Sequence, residues 1–253
     1  MFEIRKIWDI HAHIWRGTYE SNAMLLRRAA AWYHIDRIFV SALGSNQPDK
    51  GELDELNRAT ADLCKQDSLF YGYVYLNPLL PDCLTRLRQG IERDGMLGVK
   101  LWVSCLCNDK ACDPIYEYCA AENVPVLLHA FEKTHGRSSG ESTAVHVRQA
   151  AMRHPNTQFI MAHLGANCYT NLPLIADLPN VATDFSGTIC RADDLPYALD
   201  LLGSERILFG SDMPASFCAS FAQVLDADLT QQEADHILFR NAQRLFVKAR
   251  CDY

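Results

Sequence analysis

Rhythm constrains this chain more than any single motif does. Eight β-type runs, separated by helical segments, follow one another from end to end with no linker and no low-complexity stretch. They end near residues 13, 42, 77, 103, 130, 163, 185 and 212, a mean spacing of about 28 residues, close to one strand-plus-helix unit of an eight-fold barrel. A length of 253 residues suits one such barrel. We therefore expect an α/β protein, a (β/α)8 TIM barrel, filling residues 1–253 as a single domain with an extra C-terminal helix. The fold alternative is a doubly wound open sheet, which usually places a glycine-rich phosphate loop after its first strand. That place holds Trp8-Asp9-Ile10-His11-Ala12-His13 instead.

Local signals supply the individual elements. Asn22 reads as the cap of a helix through Met24, Leu25, Leu26 and Ala29 to Trp32, and Arg37 to Leu43 as strand two. A helical stripe of Leu53, Leu56, Ala59 and Leu63 precedes strand three, Leu69 to Leu76. Leu84, Leu87 and Ile91 mark a helical face ended by Gly95, and Leu97 to Val103 is strand four. Asp113-Pro114 combines an N-cap with proline at the first helical position. Val124 to Ala130, Gln158 to His163, Val181 to Phe185 and Arg206 to Ser211 are strands five to eight. Between them lie a Ser/Gly-rich loop at Gly136–Gly140 with a helix to about Arg153, a short helix at Leu172–Leu178, and a helix at Leu195–Leu202. Thr230 and Glu233 have capping-box spacing for a last helix reaching Phe246.

Composition narrows the partners. A formal charge of −7 argues against nucleic acid or an anionic membrane. No apolar run approaches the roughly 20 residues of a membrane span, and the N-terminus shows no secretory h-region, so a cytoplasmic location is expected. In that setting the ten cysteines are expected to remain thiols. Cys105, Cys107 and Cys112 cluster in sequence but lack a Cys-x-x-Cys pair and a matching second half, so no structural zinc is read there.

The polar residues fall in a pattern. In an extended strand alternate side chains share a face, so His11 and His13 project together. Strand five ends in His129, strand six in His163 and strand eight in Asp212. In an α/β barrel these C-terminal strand ends meet at one face, where active sites are built. On strand four, alternation sets Gly98, Lys100 and Trp102 on one face and Leu97, Val99, Leu101 and Val103 on the other. Lys100 therefore points into the barrel, where a lone ammonium is costly. Trp15, Arg16, Phe131, Arg137 and Arg191 follow strand ends, and an arginine there could grip a carboxylate bidentately. Arg16, Trp102, Arg137 and Arg191 are the substrate-contact candidates. His34, His135, His146, His154 and His236 lie in helices or loops and read as surface or packing residues.

Taken together, Asp9-Ile-His11-Ala-His13, Gly98-Val-Lys100-Leu, Pro125-Val-Leu-Leu-His129, Ala162-His163-Leu-Gly165, Phe209-Gly-Ser-Asp212-Met-Pro214 and Asn241-Ala-Gln-Arg-Leu-Phe246 resemble the amidohydrolase superfamily. The likeness is to its amidohydrolase-2 branch of metal-dependent barrel hydrolases and decarboxylases. It implies that His11, His13, His129 and Asp212 hold a divalent metal, most simply one zinc. It makes His163 and Asp212 the groups that move protons. A second metal would require Lys100 to be carboxylated, as in binuclear members. The resemblance implies hydrolysis of an amide, ester or lactone of a small, carboxylate-bearing substrate by metal-activated water. The alternative is non-oxidative decarboxylation of a small unsaturated or aromatic acid. DNase-type relatives carry a glutamate on strand four, where this chain has Lys100, and a metal-holding barrel without turnover is the non-enzyme reading. The expected partner is a small molecule, with neither nucleic acid nor membrane; the sequence leaves room for a homo-oligomer.

Overall fold

The structure, a computed structural model, describes residues 2–187, 189–214 and 216–250. Eight parallel strands pair in sequence order: β1 (Trp8–Trp15), β2 (Arg37–Leu43), β3 (Phe70–Leu76), β4 (Gly98–Leu101), β5 (Val126–Leu128), β6 (Phe159–Met161), β7 (Val181–Asp184) and β8 (Ile207–Leu208). The sheet closes on itself through Ile10 N–H, which donates to Phe209 O at 3.0 Å, and through a parallel bridge between Ala12 and Asp212. The expected barrel is the observed one. Helices α1 (Tyr19–Tyr33), α2 (Lys50–Gln66), α3 (Cys83–Arg88), α4 (Asp113–Glu122), α5 (Ala144–Arg153), α6 (Cys168–Asn171), α7 (Asp194–Leu202) and α8 (Phe217–Asp226) follow the successive strands. The chain ends in α9 (Gln231–Asp235) and α10 (Asn241–Leu245), joined by a π-helical turn at His236–Arg240. Among the described residues no helix is long and apolar enough to cross a membrane.

Two apolar layers follow from strand alternation. Val40, Val74, Val99, Val126 and Val181 face outward into the main core under the helices, whereas Trp8, Ile10, Phe39, Tyr73, Leu127, Ile160 and Leu208 fill the barrel. The extra C-terminal helix acts as a plug. Phe246, just beyond α10, packs on Phe39 with ring centroids 4.1 Å apart and on Tyr73 at 5.9 Å. At about 1.5–3 kcal/mol for each large apolar side chain removed from water, this filling is a main source of barrel stability.

Several boundaries differ from the sequence reading, each for a local reason. Thr18, not Asn22, precedes α1; Asn22 lies in the first turn, where its side chain accepts from Trp15 N–H and so ties the helix to the end of β1. Asp113 is the first residue of α4 rather than its cap, because a 3-10 turn at Lys110–Cys112 leads directly into the helix. The segment expected as a helix at Leu172–Leu178 begins earlier, as α6 followed by a 3-10 turn at Leu172–Leu174. The capping box is present: Thr230 accepts from Glu233 N–H, and the Glu233 carboxylate returns to Thr230 N–H.

Candidate metal centre

β1 supplies the first two histidines by an irregular route. Trp8 and Ile10 point into the barrel, and simple alternation would then send His11 and His13 outward. A bulge between Asp9 and Ala12 changes the register against β2. One extra residue reverses the parity, so His11 and His13 face the same interior as Trp8 and Ile10, one layer higher. The close approach of β8 depends on Gly210, where a Cβ would stand 2.8 Å from the His11 Cβ.

Their proton positions are fixed by what lies behind them. His11 Nδ1 is 2.9 Å from Asp184 Oδ2, and His13 Nδ1 is 2.9 Å from Ser41 Oγ and 3.3 Å from Ser41 O. A carboxylate and a backbone carbonyl only accept, so both Nδ1 atoms carry hydrogen and both Nε2 atoms keep lone pairs. Those Nε2 atoms face each other at 3.0 Å, with Asp212 Oδ1 3.5 Å from each. Three lone pairs converge here with no hydrogen between them; Lys100 Nζ, 3.0 Å from His11 Nε2, can meet the one on His11. Imidazole and carboxylate donors suit a catalytic divalent metal, and two nitrogens about 2.0–2.1 Å from one ion come this close together. The residues present therefore fit a divalent ion. Burial is the first reason the imidazoles of His11 and His13 are held below their ordinary range, with Lys100 beside them adding to it.

Lys100 is fully buried with Nζ 3.0 Å from His11 Nε2, a nitrogen to which its ammonium can donate. Burial draws it down to about 8, with Asp212 and Asp184 acting in the opposite direction. His129 lies outside the His11–His13–Asp212 group. Its Nε2 is 3.1 Å from Glu141 Oε1 and its Nδ1 is 3.3 Å from His163 Nε2. Burial, offset in part by Glu141, places His129 at about 4.

His163 follows β6 in the left-handed region, φ 64°, and Asp212 follows β8 at φ 66°. Such conformations cost of order 1–3 kcal/mol in a side-chain-bearing residue. Here the backbone is over-determined: Asp212 N–H donates to His11 O, and Asp184 Oδ1 accepts from His163 N–H at 3.2 Å. His163 Nδ1–H donates to Ser186 O at 3.0 Å, and Gly187 leaves the room for that ring, since a Cβ there would meet Nδ1 at 2.9 Å.

Four supporting residues were given no role by the sequence reading. Asp184 holds His11 and the backbone of His163 and Ser186 together; despite complete burial, the contacts from His11 and His163 keep its carboxyl well below the usual range. Asp9 accepts from His11 N–H and from the Ser211 hydroxyl, joining β1 to the end of β8. Ser41 orients His13, and Glu141 binds His129 and, at 2.8 Å, Lys133. Asp184 and Ser41 are polar positions near the C-terminal ends of mostly apolar strands, a signal present in the sequence. Glu141 comes from a loop and carries no such mark.

A cavity of about 200 Å³ opens on this cluster, lined by His13, Trp15, Leu43, Trp102, His129, Phe131, Lys133, Glu141, His163, Asp212 and Met213. Of the substrate-contact candidates only Trp102 lines it. Arg16 reaches away to Glu55, with Nη2 at 2.6 Å, and Arg191 pairs with Asp194 and lies over Tyr169. Arg137 is in the outer part of the β5–α5 loop, exposed, and Lys133 is the cation that reaches the cavity from that loop.

The family profile described as amidohydrolase matches residues 8–247. Among solved structures, 2,6-dihydroxybenzoate decarboxylase from Rhizobium superposes with a TM-score of 0.78 at 16% identity, over 97% of this chain and 99% of that one. A dihydroxybenzoic acid decarboxylase from Polaromonas sp. JS666, with bound manganese and 2-nitroresorcinol, gives 0.76 at 17% identity, over 98% and 99%. A putative amidohydrolase from Staphylococcus aureus gives 0.75 at 14%, over 96% and 100%. No curated protein matches the chain. At these identities the superpositions speak for the fold, while the profile spans nearly the whole chain: it belongs to the amidohydrolase-2 family of metal-dependent barrels.

Proposed function

We propose that the protein is a metal-dependent, non-oxidative decarboxylase of a small aromatic carboxylic acid. The observation that carries the reading is the lining of the cavity: the aromatic side chains of Trp15, Trp102 and Phe131 stand beside His13, Asp212 and His163 around one space. Its volume is below the roughly 300–1,000 Å³ of pockets for drug-sized ligands, which suits a single substituted ring. Trp15 and Trp102 stand edge to face, centroids 5.7 Å apart, a wall against which a flat ring packs. The dihydroxybenzoate decarboxylases of the same fold support this choice over hydrolysis.

When bound at His11, His13 and Asp212, a divalent cation would supply positive charge to fix the substrate carboxylate and an adjacent oxygen. Zinc, the expectation from sequence, and manganese, held by the Polaromonas protein, both suit this donor set. In our reading His129 is also a ligand once its ring turns from Glu141, and Lys100 stays uncarboxylated beside a single metal. The aromatic walls hold the ring so that its carboxyl-bearing carbon faces His163 and Asp212. One of these delivers a proton to that carbon; the bond to the carboxyl group breaks, its electron pair restores the ring, and carbon dioxide leaves. Lys133 offers a charge at the cavity wall for a phenolate or a second carboxylate.

Incubating metal-loaded protein with hydroxybenzoates and, separately, with lactones and amides tests the reading. Stoichiometric carbon dioxide and arene are expected from the first panel only. Hydrolysis of a lactone or amide without carbon dioxide release from any acid would overturn it.

A further inference from the structure

The cysteine cluster after β4 takes no part in the metal centre. Cys105, half-buried in the connection to α4, has its Sγ 3.7 Å from the Sγ of Cys112, which is fully buried at the start of that helix. The backbone of Cys107 is fixed on both sides: its N–H donates to Ser142 Oγ at 2.9 Å and its carbonyl accepts from Tyr116 OH at 2.6 Å. Among the described residues no third thiol, imidazole or carboxylate joins the pair at ligand distance. Two adjacent thiols without a third donor suit two-electron chemistry rather than a metal.

We infer that Cys105 and Cys112 are a reversible disulfide site whose oxidant is a peroxide. A disulfide has sulfurs about 2.05 Å apart, so they must approach by roughly 1.7 Å. Residues 102–109 are neither helix nor strand, which lets a side-chain rotation and a small backbone shift supply that movement. Cys105 is the more accessible sulfur and meets the oxidant first. Its thiol and hydrogen peroxide give a sulfenic acid and water; the Cys112 sulfur then attacks that sulfur, the S–O bond breaks, and a second water leaves as S–S forms. Two thiols are oxidised and one peroxide is reduced. The contact with Cys105 and burial both push the Cys112 thiol far up, so little of it is thiolate and closure is slow.

The connection is part of the cavity wall. Trp102 lies three residues before Cys105, and Gly140 packs so closely on Val103 that a Cβ would stand 2.1 Å from the Val103 carbonyl oxygen. Drawing Cys105 toward α4 therefore acts on Trp102 and, through Gly140, on neighbouring Glu141.

The test treats the full chain with hydrogen peroxide and maps it without reduction by mass spectrometry. A peptide linking residues 105 and 112, with two hydrogens lost, is expected. Cys105→Ser and Cys112→Ala should each abolish it, and Cys107→Ser should leave it. Alanine at 112 keeps that buried site apolar, so the second variant remains usable if serine at 105 disturbs folding. Amide exchange across 102–112 should slow at least several-fold in the oxidised protein and recover with dithiothreitol. A link made through Cys107, a link between two chains, or a 105/112 pair still reduced after exposed Cys190 and Cys218 have reacted would overturn the site. Unchanged exchange in the linked protein would overturn its coupling to the wall.

Discussion

The two ends of the barrel use the same strands for opposite purposes. At the lower end Trp8, Phe39, Tyr73 and Phe246 make an apolar plug. At the upper end His11, His13, Lys100 and Asp184 are as thoroughly buried, yet each is polar and held by another polar group. β1 serves both, Trp8 and Ile10 below and His11 and His13 above, with the bulge between Asp9 and Ala12 making the change. Burial alone does not distinguish core from site; what the buried atom faces does. A lone pair turned toward other lone pairs marks the functional end.

Breaking the upper end should therefore cost function before it costs structure. His11→Ala removes one of the three converging donors, and we expect metal content near zero by elemental analysis and activity lost altogether, with the barrel's circular dichroism retained. Full metal occupancy in that variant would remove the central assignment. A smaller effect is expected for His163→Asn, which leaves His11, His13 and Asp212 in place. Metal should stay bound, while turnover falls by about 10²–10⁴, the range typical of a lost proton-transfer group. If His163→Asn came out metal-free, His163 would be a ligand and its present role would pass elsewhere.

The contrast also explains what the sequence could and could not disclose. Strand count and order were legible because apolar alternation is dictated by the layers around the barrel. His11, His13, His163 and Asp212 were legible because each stands at a strand end. The bulge was not, since nothing in Asp9-Ile10-His11 marks an extra residue; the parity argument placed the two imidazoles together but could not say which residues shared their face. Arg16 and Arg191 do not line the cavity; each guanidinium pairs with an acidic neighbour contributed by a helix, Glu55 from α2 and Asp194 from α7. Lys133 and Glu141 were invisible for the converse reason, being placed by loop packing on Gly140 and the chain after β4 rather than by any periodic pattern.

Breaking the lower end should do the reverse. Phe246→Ala opens the plug against Phe39 and Tyr73, and truncating such a buried ring typically costs about 3–5 kcal/mol. Denaturant unfolding should show that loss while metal stoichiometry in the folded fraction is unchanged. A Phe246→Ala variant that unfolds normally but binds no metal would mean the two ends are coupled through β1.

The smallest effect concerns the helix that brings the plug into place. Thr230 and Glu233 satisfy each other's backbone at the start of α9, so Thr230→Ala should cost about 1 kcal/mol, with metal content unaltered. Its pH dependence is diagnostic. The Thr230 backbone N–H, then its hydroxyl, hold the Glu233 carboxyl below the ordinary carboxylate range. A group depressed in the folded state contributes stability that is complete above its unfolded value, about 4.3 for Glu, and fades as pH falls through the lower folded value. Wild type and Thr230→Ala should therefore differ most at neutral pH and draw together in acid. Unfolding curves that stay parallel from neutral pH down to about pH 3, below that value, would show that the Thr230 hydroxyl adds nothing to the hold the backbone N–H keeps on the carboxylate in both proteins.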